Sequence, residues 1–246
     1  MRELPIFSDD GKIDGLAPYE TNAIMLYPED PKKQKQIMLS FAKTVPSEMT
    51  RAGYSHDQAT YLLGLMVERY GGFEEFGDVK NPEDTRTDAI RRSWKGTIAG
   101  KILESIIYLD QFAPPSGVRR AIDLVKEEIK DEEKEGFSTS ERHIYNSWKE
   151  YKNVSHLWAA NSHWQNSGKA ERPFPFVSDE ELKYFLAIGD WFYRKGIEVK
   201  SASIKTRAFS PKDPWLPPPG LDLPSLNLNY PRNLKADALA AKYERK

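Results

Sequence analysis

Between Arg91 and Trp164 the chain repeats apolar residues at helical spacing three times in succession, and any fold it adopts has to bury those three stripes against one another. The first stripe lies in the segment from Asp88 to Leu109 and sets Ile90, Trp94, Ile98, Ile102, Ile106 and Leu109 on one side. Gly96 and Gly100 stand four apart beside it, where the missing side chain lets a second helix approach closely. After the Pro114-Pro115 break, Ser116 can cap a second helix over residues 117–135, with Val118, Ala121, Ile122, Val125 and Ile129 inward. The third, opened by a capping box of Ser138 with Glu141, spans residues 140–161 and turns Ile144, Trp148, Tyr151, Val154, Leu157 and Trp158 to the inside. Three amphipathic segments in a row predict an all-α fold.

The flanking segments extend it. Ser55 with Gln58 has the form of a capping box, and Ala59, Leu62, Leu63, Met66, Val67 and Tyr70 follow at helical spacing. Gly71-Gly72 is expected to stop that helix by adopting a left-handed conformation. Ser178 with Glu181 opens a further helix through Leu182, Phe185, Leu186, Ile188 and Phe192, ending near Gly196. Residues 197–204 alternate loosely, as a single strand would. Prolines gather toward the two ends. Pro5, Pro18, Pro28, Pro31 and Pro46 predict a wrapped N-terminal arm over residues 1–45 with one helix at 32–43, the apolar run from Ala23 to Tyr27 being open to a short strand. At the other end, residues 206–246 form a proline-rich tail with Pro217-Pro218-Pro219 among Trp215, Leu216, Leu221, Leu223 and Leu226. That composition favours an extended polyproline conformation docked along a surface, its own or another subunit's. The expected architecture is a multi-helix bundle of about five to seven helices in a domain at 46–205, between two proline-rich extended arms.

Composition narrows the function classes. Hydrophobic residues make up 39% of 246 and aromatics 12%, enough for a core, and Trp148, Trp158, Trp164, Trp191 and Trp215, five of the six tryptophans, read best as part of it. A formal charge of -1 gives no overall attraction to nucleic acid or anionic lipid, so either would need a local patch. The chain has no cysteine, which excludes disulfides, thiolate nucleophiles, zinc fingers and iron–sulfur clusters. No segment has the apolar length of a membrane span, and MRELPIFSDDGKID lacks a signal peptide's apolar centre, so the expected location is cytoplasmic. There is no glycine-rich phosphate loop, G-x-S-x-G elbow, H-E-x-x-H or dinucleotide fingerprint, and no cofactor is implied.

One polar feature points to a role. Arg142, Asn146, Lys149, Asn153 and His156 follow one another by alternating fours and threes, a stripe of hydrogen-bond donors opposite the apolar face. With the preceding helix, this makes the outline of a helix-turn-helix whose second helix enters the major groove. Arg142 could take guanine bidentately, Asn146 or Asn153 adenine, and Lys149 phosphate. Two features oppose that reading: the break between the helices is long, and the acidic run 127–135 leads into the end that would meet phosphates. The expectation is a non-enzymatic helical interaction protein whose Arg142 to His156 face contacts DNA or another protein, with the C-terminal tail as a route to homo-oligomers.

The histidines bear on metal and enzyme readings. His156 and His163 are seven residues apart, roughly 10 Å of helical rise, too far for one ion. Arg51 and His56 have the Arg-x4-His spacing of a class of all-helical ribonucleases, a resemblance of two residues that supplies the enzyme alternative. The cap expected at Ser55 places Arg51 outside the helix that His56 begins.

Overall fold

The computed structural model describes residues 16–51, 53–72, 77, 82–112, 116–135, 137–166 and 179–199. Among them the fold is all-α. The helices are α1 (Ala17–Leu26), α2 (Pro31–Arg51), α3 (His56–Tyr70), α4 (Pro82–Phe112), α5 (Val118–Glu128), α6 (Glu141–Tyr151), α7 (Ser155–Asn166) and α8 (Asp179–Glu198), with 3-10 turns at Lys130–Glu135 and Lys152–Val154. No helix among the described residues is long and apolar enough to cross a membrane.

The middle of α4 has no fully exposed side, and that places it at the centre. Ile98, Ala99, Ile102, Leu103, Ile106, Ile107 and Leu109 are buried together with Glu104 and Ser105, and a helix so largely covered with apolar side chains is enclosed by its neighbours. It touches α1, α2, α5, α6, α7 and α8. Each fully buried Ile or Leu contributes roughly 1.5–3 kcal/mol, so this helix outweighs the surface ion pairs as a source of stability. Only Ile90, near the start of the stripe, is turned out, at 50% exposure.

α7 is the second interior helix and lies between α4 and α8. Every residue from Ser155 to Ala160 is buried. The two glycines of α4 do what their spacing predicts. A Cβ on Gly96 would lie 2.0 Å from Cε2 of Trp158, and one on Gly100 would lie 2.7 Å from the backbone nitrogen of Ala159. α4 and α7 thus approach more closely than side chains at those positions would permit.

The N-terminal segment differs from the arm expected over residues 1–45. From Leu16 it is helical, and Leu16, Ala17, Tyr19, Ala23, Met25 and Leu26 join Ile37, Met38 and Ala42 of α2 in the core. The prolines start helices here. Pro18 sits in the first turn of α1 and Pro31 is the first residue of α2, positions where a missing N–H leaves no bond unmade. Pro46 lies inside α2. The end of α1 is closed by three side chains, two of them from far along the chain. Trp158 Nε1 donates to Met25 O at 3.0 Å, Tyr151 Oη to Leu26 O at 2.9 Å and Gln34 Nε2 to Tyr27 O at 2.6 Å.

The helix ends divide into met and displaced expectations. Both halves of the Ser55–Gln58 capping box form, and after Gly71 the backbone of Gly72 takes φ +73°. α6, however, is capped by Ser140, whose Oγ accepts from His143 N at 3.3 Å; Ser138 instead lends its carbonyl to Trp94 Nε1. α5 has Gly117 at its N-cap with no side-chain cap, and Ser116 Oγ bonds Asp110 Oδ1. The segment 117–135 is not one helix, because α5 ends at Glu128 and the acidic run winds into the 3-10 turn. Ile197 and Glu198, expected to begin a strand, extend or follow α8 as helix. Residues 200–204 of that stretch, the Ser178 cap and the tail at 206–246 fall outside the described residues.

Candidate partner-binding site

Residues 140–161 are not a single rod. α6 ends at Tyr151, Lys152–Val154 form a 3-10 turn, and α7 begins at Ser155. Each 3-10 residue advances about 120° in place of 100°, so three of them rotate all that follows by about 60°. The donor stripe divides there. Arg142, Asn146 and Lys149 are exposed on α6. Asn153, in the turn, is half-buried and donates from Nδ2 to Glu29 Oε1 at 3.0 Å. His156 is 1% exposed and packs edge-on against Tyr193 at 5.3 Å between ring centroids. Neither of the last two belongs to an outward reading face: Asn153 is turned onto Glu29, and His156 lies in the enclosed part of α7.

What remains outward is a face that the inner side of α6 holds in place. Ile144, Ser147, Trp148 and Tyr151 are buried. Glu150 receives Arg92 Nη1 at 3.3 Å and Lys95 Nζ at 2.7 Å from α4. Arg92 also bonds Asp88 Oδ2 at 2.9 Å and Tyr151 Oη at 3.3 Å, and lies over the Tyr27 ring at 4.3 Å. Tyr27 Oη in turn donates to Asp88 Oδ2 at 2.7 Å. Burial alone would raise the Asp88 carboxyl, but the hydrogen bonds from Tyr27 and Arg92 carry it below its ordinary value. Burial pushes the Tyr151 phenol up to about 12 against the pull of Arg92. Such part-exposed pairs are each worth about 0–1 kcal/mol, so their main effect is orientation: they fix α6 against α4 and the α1–α2 corner.

On the opposite side of α6, Arg142, Tyr145, Asn146 and Lys149 fall at i, i+3, i+4 and i+7 and share one surface. Tyr145 is 53% exposed. Beside it opens a groove of about 690 Å³ between the starts of α5 and α6, lined by Val118, Arg119, Ile122, Glu141, Arg142 and Tyr145. Its apolar part is Val118, Ile122 and Tyr145; Arg119 and Arg142 stand exposed at its mouth, one from each helix. Neither arginine is in an ion pair among the described residues, whereas Arg69, Arg92, Lys95, Lys101, Lys130, Arg194 and Lys195 all are. Sequence reasoning found Arg142 and missed the groove. The available signal was Tyr145, an aromatic among the donors and one residue off the inward stripe.

The other singled-out residues lie apart from this face. Arg51 ends α2 and His56 begins α3, both exposed, on either side of a turn through Gly53 at φ +90°. His163 Nε2 lies 3.8 Å from Glu104 Oε1 and its ring rests on Phe192 at 5.1 Å. Among the described residues no group of three or more His, Asp or Glu is placed to hold a metal ion. Trp158 and Trp164 are core, 5% and 0% exposed. Comparison of the chain with family models, with curated proteins and with solved structures finds no match in any of the three.

Proposed function

We propose that this chain is a non-enzymatic interaction module that receives a protein partner on the outer face of α6, at Arg142, Tyr145, Asn146 and Lys149, and in the groove that continues to α5. Tyr145 is the observation that supports this reading. It is a large amphipathic ring, 53% exposed, on a helix whose inner side is held by the Arg92–Glu150 network. An aromatic and an arginine side by side on a rigid element are the residue types that carry most of the energy at protein interfaces.

DNA is the second reading, favoured by Arg142, Asn146 and Lys149 remaining exposed together on one helix. The connection between α5 and α6, Ile129 to Ser140, is longer than the compact turn of a helix-turn-helix, and Glu141 stands beside Arg142 at the end that would approach phosphates. The two readings separate in one experiment. A photo-reactive side chain at Asn146 of the full chain is expected to capture a protein of defined mass in cell extract, and Tyr145→Ala or Arg142→Ala to reduce capture about tenfold. Duplex DNA should not shift at physiological salt. A shift that falls steeply with salt and disappears in Arg142→Ala with Lys149→Ala would replace the protein partner with nucleic acid.

A further inference from the structure

We infer that the occupant of the α5–α6 groove is an acidic linear segment of a partner protein, presenting one large apolar side chain flanked by carboxylates. This rests on the protein-interaction reading and specifies the partner's chemistry.

The argument is one of complementarity. The inner part of the groove is apolar: Ile122 is only 4% exposed at its base, Val118 is half-buried, and Tyr145 forms a wall. A groove of about 690 Å³ has room for an aromatic or leucine side chain with the backbone on either side of it. Phosphates would find no partner along Val118, Ile122 and Tyr145, and the apolar surface would stay wet. At the mouth, Arg119 and Arg142 come from different helices, so they offer two separated guanidinium groups. Each can take a carboxylate through two parallel hydrogen bonds. Several cations elsewhere on the bundle are matched by carboxylates of the chain itself: Arg92 and Lys95 by Glu150, Lys101 by Glu128, Lys130 by Glu127. Arg119 and Arg142 have no such match among the described residues, so a partner's acids could engage them without first displacing an internal pair. Glu141 on the same rim adds direction, since a segment that placed a carboxylate against it would be repelled.

The test uses the full chain and three fluorescein-labelled peptides in anisotropy titrations at physiological ionic strength. One carries Trp-Leu between Asp and Glu residues, one carries Trp-Leu between lysines, and one carries Ser-Ser between the same acids. The first should bind, and the other two should bind about tenfold more weakly or worse. Arg119→Glu with Arg142→Glu should invert the preference toward the lysine peptide. Both positions are exposed, so the variant should keep its helices, which circular dichroism checks. Equal binding of all three peptides, or a double variant that behaves like the parent, overturns the inference. If the protein captured at Asn146 binds the double variant as well as the parent, the interaction reading stands and the acidic segment falls. If duplex DNA displaces the peptide and is itself lost in the double variant, both fall. A solution mass that drops on Arg142→Glu in light scattering assigns the groove to a second copy of the chain and overturns the peptide partner.

Discussion

Trp158 joins two requirements in one side chain. Its ring lies over Gly96, and its Nε1 satisfies the carbonyl of Met25, 133 residues earlier. Trp158→Phe keeps most of the ring and leaves that buried carbonyl without its donor, so the urea midpoint should fall by an amount equal to about 1–3 kcal/mol, with an unchanged slope. The burial of Trp158 was legible from its place on the apolar stripe; its hydrogen bond was not, because no local pattern encodes a partner so distant. His156 shows the opposite failure. Its polarity marks it for the surface, but the neighbours on either side of α7 enclose it. Burial also lowers the His163 imidazole below its ordinary value, despite Glu104 Oε1 at 3.8 Å. His143 is lowered too, first by burial and then by Lys95, with Glu150 opposing. A base depressed in the folded state binds its proton more readily when unfolded, so the associated stability is present above the ordinary value of 6.5 and is lost as pH falls through the lowered one. Thermal midpoints should therefore decline as pH drops from neutrality toward 5, and His163→Gln should flatten part of that slope. A slope unchanged in His163→Gln would mean that other groups set it.

At the scale of elements, the α4–α7 contact is the most demanding packing in the bundle, and two alanine substitutions measure it against an open site. Gly96→Ala puts a methyl group where the Trp158 indole already is, and should destabilise by about 1–3 kcal/mol or more. Gly64, in the middle of α3, has nothing within 4 Å of a built Cβ, so Gly64→Ala should stabilise by about 0.5–1 kcal/mol through helix propensity and the reduced freedom of the unfolded chain. Chemical denaturation of both variants checks the contrast, and two changes of the same sign would contradict the close approach. The glycine spacing made this contact readable in advance, as the Ser55 box and Gly72 made the limits of α3 readable. The turn at Lys152–Val154 was not, since no Gly or Pro marks it; Asn153, Val154 and Ser155 only weakly disfavour helix. That unmarked turn divides the five-residue donor stripe and leaves Arg142, Asn146 and Lys149 as its outward part. The groove was hidden for a different reason: it exists only between α5 and α6, and no single helix pattern contains it.

For the molecule as a whole, the N-terminal helices belong to the same core as α4 and α7. A chain beginning at Pro46 lacks Leu16, Met25, Leu26, Ile37 and Met38, and should lose cooperative thermal unfolding while binding hydrophobic dyes. Retention of a sharp transition would show residues 1–45 to be a separable arm after all. Prolines hid this at the sequence level, because the same residue that breaks a helix interior is well suited to a helix start. The closure of α1 by Tyr151 and Trp158 also bears on how the protein is made. Leu26 leaves the ribosome 125 residues ahead of the phenol that will bind its carbonyl, a delay of roughly 6 to 25 s at ordinary translation speeds. Over that interval the nascent α1 lacks the two hydrogen bonds that Tyr151 and Trp158 bring to its C-terminal end, so an early-made helix is among the last to settle.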